Sequence, residues 1–243
     1  CVLPHAQEDF VLRSDAAQAT INVSVLPFEG TDKVPEFKDL AAPDAVVRAD
    51  LEFSGRAKIV QPPSNSWDSA FFAQGGVAAV VTGSVRAGAS AGEVEIRFQL
   101  SDASTRDKLV EKTYTGKKKD LRRLSHRFSD DAIFQLFGER GIASTRIAYV
   151  RGKEGRKEIW TMDYDGFGSG QWTKNGSINL SPVWDRDGAL VWSSYLGGDG
   201  AHLLRQALGQ KPTRFLPSTP GMQISAAASP IDGEIAMAVS LDG

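Results

Sequence analysis

The side chains that could do metal or nucleophilic chemistry are few. The chain has one cysteine, Cys1, and three histidines, His5, His126 and His202. One cysteine cannot form an internal disulfide, and cysteine and histidine do not recur at a zinc-ligand spacing. His126 is the candidate general base or proton sensor, because imidazole titrates near neutral pH. No serine, cysteine or carboxylate surrounds it in a recognisable catalytic order, which favours a helix or domain-interface hydrogen bond instead.

Other charged and glycine-containing motifs have simpler interpretations. The turns Asp163-x-Asp165-Gly166 and Asp185-x-Asp187-Gly188 lack the distal glutamate of a calcium loop, so turn geometry explains them. The basic cluster at 117–127 could hold phosphates, but a solvated face is the commoner role. No nucleophile elbow, P-loop or dinucleotide fingerprint occurs. The sequence therefore predicts no catalytic residue, no metal site and no cofactor.

Composition narrows the class of protein. Of 243 residues, 41% are hydrophobic and 24% are charged, which is typical of a globular chain. The net charge of −2 argues against a surface that is basic throughout and grips nucleic acid. The longest uncharged run, 69–85, is too short and too polar to span a bilayer. Cys1 is interpreted as a leader remnant or an arbitrary start, with a lipidated first residue as the alternative.

The first part of the chain alternates strand and helix patterns. Alternation predicts strands near 21–26 and 94–100, and an apolar run predicts a strand at 77–85 that is buried on both faces. A hairpin partner is expected at 109–115, a broken helix at 35–53, and a helix at 120–137 that ends at Gly138. These elements predict an α/β domain over 21–144, with a mixed sheet and packed helices, preceded by a leader remnant or partner-binding segment at 1–20.

The last part of the chain, 145–243, reads as all β. Short apolar strands alternate with Gly, Asp, Asn and Pro turns. The segment 181–192 recurs at 225–237 with an offset of about 44 residues, the length of a four-stranded propeller blade. A closed propeller needs at least about four blades, whereas this segment holds about two and part of a third. We therefore expect an α+β multidomain fragment that ends in a truncated β-propeller, whose first blade lacks an inner strand before Ile147.

Several segments together resemble the TolB family, the periplasmic component of the Tol-Pal cell-envelope system of Gram-negative bacteria. They are Val25-Leu26-Pro27-Phe28-Glu29-Gly30, the interdomain passage 121–150 with Ser125 to Asp131 and Thr145 to Val150, and the blade segments Met162 to Gly166 and Leu180 to Trp184. The resemblance implies a six-bladed propeller behind the N-terminal domain. It also implies a non-enzymatic adaptor that links inner-membrane Tol proteins to the outer-membrane lipoprotein Pal, and so supports envelope integrity and cell division.

The same resemblance implies two partner-binding sites. The site for a TolA-like inner-membrane protein maps onto Glu8, Asp9, Phe10, Val11, Leu12 and Arg13, an extended segment that can add to the edge of a partner's sheet. The site for a Pal-like lipoprotein maps onto the loops that lead into the inner strands, at Ser177, Ile178, Asn179, Leu180, Gly221, Met222, Gln223, Ile224 and Ser225. Loops on a rigid scaffold lose little entropy when they dock, which suits them to recognition.

One alternative of another class remains open at this level. Propellers also precede serine peptidase domains as gating modules, so the chain could be the propeller module of a larger enzyme. Further blades beyond residue 243 would favour the adaptor. A nucleophile elbow in an α/β context would favour the peptidase.

Overall fold

The computed structural model describes residues 20–31, 42–216 and 221–241. The chain divides into two compact units, Cys1–Gly141 and Ile142–Gly243. Among the helices of the described ranges, none has the length and apolar character needed to cross a membrane. The TolA-like segment predicted at 8–13 lies outside the described residues.

The first unit is a mixed sheet with three α-helices in its described residues. Its elements are β1 Ile21–Val25, α1 Pro43–Phe53, β2 Ala57–Ile59, α2 Ser69–Gln74, β3 Val77–Ala87, β4 Glu93–Asp102, β5 Lys108–Lys117 and α3 Leu121–Phe137. The strand order is β2-β1-β3-β4-β5. Strand β1 runs parallel to β2 and β3, whereas β3, β4 and β5 form an antiparallel meander. The predicted mixed sheet is confirmed.

The main core of this unit lies between the sheet and helices α1 and α3. The alternation in β4 puts Ile96, Phe98 and Leu100 in this core, where Phe98 stacks on Phe128 of α3 at 4.7 Å. Helix α3 ends as predicted, because Gly138 takes a left-handed φ of 70° that suits a residue without a side chain. Helix α1 begins at Pro43, whose missing N–H costs nothing in the first turn. The earlier part of the predicted broken helix falls mainly outside the described residues.

The opposite face of the sheet is only partly covered. Helix α2 and Trp67 pack over Leu26 and Val80 in a second apolar cluster. Val80 and Val81 are both fully buried on opposite faces of β3, which bears out the expected double burial at that point. The remainder of this face is polar, with Arg97 and Glu111 paired at 2.8 Å across β4 and β5.

The second unit contains three antiparallel sheets in chain order. Its strands are β6 Arg146–Lys153, β7 Arg156–Asp163, β8 Gly170–Gln171, β9 Asn179–Trp184, β10 Leu190–Ser194, β11 His202–Gln206, β12 Thr213–Arg214, β13 Met222–Ala228 and β14 Ile235–Ser240. They form the sheets β6-β7-β8, β9-β10-β11-β12 and β13-β14. Within the described ranges, none of the sheets of this unit closes on itself.

The middle sheet has apolar layers on both faces. All five residues of β10 are buried, and alternate residues reach opposite layers. Leu190 and Trp192 pack with Ile159 of β7 on one side. Val191 packs with Ala226 of β13 on the other side. Because side chains alternate across a strand, a segment buried in this way must lie between two other layers.

The sequence repeat is also a repeat of backbone conformation. Ser181 in β9 and Ser225 in β13 both take a left-handed φ, of 51° and 57°, which non-glycine residues rarely adopt. Each strand also shifts register against its partner. Asn179 and Gln223, two residues before these serines, are both buried. The repeat of about 44 residues therefore encodes one strand geometry used twice.

Candidate functional site

The predicted Pal-like segments lie mostly in strands, so their interpretation as loops is wrong for most of their residues. Strand β9 begins at Asn179 and β13 begins at Met222. Asn179 is registered against Ser194 of β10, and Met222 against Ser240 of β14. Pairing with the next strand along the chain thus makes both segments part of a ladder. Ser177, Ile178 and Gly221 lie just before the strands, outside the ladders.

Backbone hydrogen bonds bring the two segments to the same end of the stacked sheets. Lys157 N donates to Ser177 O at 3.0 Å, and Tyr195 N donates to Ile178 O at 2.9 Å. Gln223 N donates to Ala201 O at 2.7 Å, which ties β13 to the start of β11. We use the name basic end for the loops and strand starts gathered here, namely 153–157, 174–178, 195–200 and 221–222.

Asn179 is the centre of a buried hydrogen-bond network. Its Oδ1 accepts from Trp192 Nε1 at 3.1 Å and from Ser194 Oγ at 2.8 Å. Its Nδ2 donates to Lys157 O at 3.0 Å and to Asn175 Oδ1 at 2.8 Å. Because the side chain is wholly buried, its role is to join β7, β9 and β10 rather than to touch a partner.

Glu158 anchors the same loop from the neighbouring sheet. Its Oε1 accepts from Gly176 N at 2.7 Å, and its Oε2 accepts from Asn179 Nδ2 at 3.2 Å. Thr173 Oγ1 also donates to this carboxylate and accepts from Ile159 N at 2.9 Å. Loop 174–178 is therefore held at several points, which limits the entropy that binding would cost.

Accessibility separates the predicted residues into two groups. Asn179 and Gln223 are buried, and Gln223 Nε2 donates to Leu216 O at 3.2 Å. Ile224 and Ser225 are exposed, and Ser225 N donates to Ser193 Oγ at 3.2 Å. Ser177, Ile178, Leu180, Gly221 and Met222 are partly buried. A partner at this end could therefore reach the residues next to the two buried amides.

The hairpin between β10 and β11 adds two apolar residues that sequence reasoning missed. Tyr195 is 39% exposed and Leu196 is 48% exposed at the tip of this hairpin. The following Gly197-Gly198 pair indicates a turn in the sequence. Nothing in the sequence pattern shows that this turn meets Ile178, because that contact depends on strand pairing.

His202 and Arg214 hold the acidic residue of this hairpin. Asp199 Oδ1 lies 3.1 Å from His202 Nε2, and Asp199 Oδ2 lies 3.4 Å from Arg214. The closeness of His202 is the main cause of a pKa of Asp199 below its ordinary value. Asp199 therefore stays ionised and engaged with neighbouring groups of its own unit.

His126, the candidate base, lies in a buried cluster inside the first unit. Its Nδ1 lies 2.8 Å from Asp50 Oδ2, and Ser129 Oγ donates to the same oxygen at 2.7 Å. The expected helix hydrogen bond of His126 is therefore found, with a serine and a carboxylate beside it that the sequence does not indicate. Asp50 lies 76 positions earlier in the chain, so local spacing could not indicate it. The Ser129 hydroxyl is directed at the carboxylate rather than at the imidazole, an arrangement that joins α1 to α3 and does not activate a nucleophile.

The motif at Asp185 forms a compact turn. Asp185 Oδ1 accepts from Asp187 N at 3.0 Å and from Ala189 N at 2.8 Å. Gly188 takes a φ of 76° and completes the turn. Arg205 Nε pairs with Asp185 Oδ2 at 2.7 Å. The carboxylate is used within the turn and by a neighbouring strand.

Known proteins match this chain over both units. Residues 14–109 match the family described as the TolB amino-terminal domain. The Tol-Pal system protein TolB of Geobacter sulfurreducens is 36% identical over 65% of this chain and 38% of its own length. The protein TolB homolog of Chlorobium chlorochromatii is 31% identical over 87% of this chain and 51% of its own length.

A solved structure extends the likeness to the fold. The crystal structure of TolB from Acinetobacter baumannii superposes with a TM-score of 0.70, over 93% of this chain and 57% of that one, at 22% identity. The chain thus spans about half the length of the relatives it matches. Residues 14–109 thus carry a TolB amino-terminal domain, and the chain as a whole is similar to TolB proteins over about half of their length.

Proposed function

We propose that this chain acts in the periplasm as a non-enzymatic adaptor of the Tol-Pal system, linking a TolA-like inner-membrane protein to a Pal-like lipoprotein. One observation carries the proposal: a TolB amino-terminal domain is followed by stacked antiparallel sheets whose loops gather at one end. The relative from Geobacter sulfurreducens is named a Tol-Pal system protein. Such an adaptor would support envelope integrity and cell division.

The proposal treats 21–144 as the N-terminal domain and 145–243 as blades of a β-propeller. Support comes from the four-stranded middle sheet, its two apolar layers, and the left-handed serine that recurs in β9 and β13. In a propeller, each blade packs face to face against the next, which is the relation that β10 has to its neighbours. The first sheet, β6-β7-β8, would then be a blade without its inner strand.

The Pal-like site is proposed at the basic end, on the accessible neighbours of Asn179 and Gln223. The test is capture of the soluble domain of a Pal-like lipoprotein by the full-length protein. Ile224→Asp should reduce the affinity at least tenfold, because a charge replaces an exposed apolar contact. Ile231→Asp is the matched control, since Ile231 is 78% exposed at the opposite end of β13. Equal binding by the two variants would remove β13 from the site.

The TolA-like site is proposed at Glu8 to Arg13. An extended segment can pair with the edge of a partner's sheet, where main-chain hydrogen bonds supply affinity. Deleting 7–14 should abolish binding of a TolA-like protein and leave the capture of the lipoprotein unchanged. If TolA still binds to the deletion variant, the segment is not its docking site.

A further inference from the structure

We propose that the basic end recognises an acidic protein segment that carries an apolar side chain at its centre. This inference rests on the proposed function, because it describes the chemistry of the partner at the same site. Three observations support it independently of any family role. They are the cations of the basic end, the exposed apolar residues at the tip of the β10-β11 hairpin, and the difference in charge between the two ends of the unit.

Four cationic side chains lie at the basic end. They belong to the β6-β7 hairpin and the following loop and are Lys153, Arg156, Lys157 and Lys174. None of these four makes an ion pair with another described residue. Lys153 and Arg156 face each other across the hairpin and are both exposed. Like charges held side by side in this way repel one another, and an added anion would relieve the repulsion.

Most of the carboxylates at this end are already engaged. Glu158 accepts hydrogen bonds from Gly176 and Asn179, and Asp199 pairs with His202 and Arg214. These two carboxylates therefore interact with groups of the protein itself. Glu154, at the hairpin tip, is the remaining acidic side chain among the described residues of the basic end. The positive field of the lysines and of Arg156 is therefore only partly offset.

The turns at the opposite end of the same sheets have the reverse composition. The acidic residues there are Asp163, Asp165, Asp185, Asp187, Asp232 and Glu234, and the basic ones are Arg146, Arg186, Arg205 and Lys211. Arg146 pairs with Asp163, and Arg205 pairs with Asp185 and Asp187, so the acidic groups still outnumber the basic ones by two. A charge difference between two ends of one unit orients an approaching charged protein and raises its association rate. An acidic partner would be drawn to the basic end and repelled from the other.

The centre of the basic end is apolar. Tyr195 and Leu196 are exposed at the β10-β11 tip, and the backbone of Tyr195 is hydrogen-bonded to that of the partly buried Ile178. Apolar anchors surrounded by a charged rim are the usual anatomy of a protein interface. This arrangement selects a folded or extended protein segment over a small anion, because an anion alone would leave the apolar tip exposed.

The test uses two labelled peptides and the full-length protein. One peptide places a Leu-Trp pair between runs of Asp and Glu, and its counterpart has lysine at every acidic position. Fluorescence anisotropy at about 50 mM salt, where screening is weak, gives both affinities. We expect the acidic peptide to bind at least tenfold more tightly. K153E/R156E should abolish this preference, whereas the matched control K117E/K119E, in the first unit, should retain it.

The outcomes separate this inference from the proposed function. Equal affinity for the two peptides, or a preference that survives K153E/R156E, overturns the inference even if the Pal-like lipoprotein is captured. A preference for the acidic peptide that K153E/R156E removes supports the inference even if that lipoprotein is not captured, in which case the proposed function fails. Leu196→Asp should weaken binding of the acidic peptide at least fivefold, and unchanged binding would contradict the apolar centre.

Discussion

Replacing Asn179 by alanine should destabilise the contact between the sheets β6-β7-β8 and β9-β10-β11-β12. The truncation leaves Trp192 Nε1, Ser194 Oγ and Lys157 O without the partner they have at 3.1, 2.8 and 3.0 Å. A buried polar group left unpaired costs about 1 to 3 kcal/mol. Because the three groups belong to one network, their costs do not simply add, and we expect a total loss of about 3 to 6 kcal/mol.

Asn179→Asp tests the donor side of the same amide. The carboxylate keeps the acceptor for Trp192 but cannot donate to Lys157 O, and it places a negative charge where Nδ2 now lies 3.2 Å from Glu158 Oε2. A buried carboxylate beside the partly buried Glu158 should therefore cost at least as much as alanine. Asn175→Ala is the control, because Asn175 is only partly buried and should cost about 1 kcal/mol.

Native-state hydrogen exchange measures these losses element by element, which a global transition of a multidomain chain does not. Opening free energies should fall in β7, β9 and β10 and stay unchanged in α1 and α3. A change below about 1 kcal/mol in β9 and β10 for Asn179→Ala would refute the role assigned to this network. So would an aspartate variant that is milder than the alanine variant.

His126→Ala should destabilise α1 and α3 by about 1 to 3 kcal/mol, because the buried Asp50 loses its hydrogen-bond partner at 2.8 Å. Exchange of the α1 and α3 amides checks this, and a loss below about 1 kcal/mol would contradict it. Ser104→Ala should raise the pKa of Asp102 from about 2 toward its ordinary value of 3.8, since the side-chain hydrogen bond from Ser104 is the main cause of the low pKa. Because the pKa of Asp102 is lower in the folded state, the stability that this turn contributes is present above about pH 4 and is lost as the pH falls toward 2. An NMR titration that gives the same pKa for Asp102 in both proteins would exclude the Ser104 hydrogen bond as the cause.

Local sequence patterns were sufficient for much of the fold. The alternation from Val94 to Leu100 and the helical period before Gly138 predicted β4 and α3, because each depends on neighbours a few residues apart. The repeat of about 44 residues predicted recurring strands, and the structure shows the same left-handed serine in both copies. Short stretches of the sequence determine these features, because backbone geometry and side-chain periodicity depend on neighbouring residues.

The candidate site depends on contacts between distant residues. Asp50 meets His126 only because α1 and α3 pack on the same face of the sheet. The start of β9 is a strand rather than a loop because β10 is available to pair with it. The basic end depends on tertiary structure in the same way. Its turns can be identified in the sequence, but strand pairing brings them to one end of the sheets. A sequence pattern indicates which residues form a strand or turn, but pairing and packing across the chain decide which of them become neighbours.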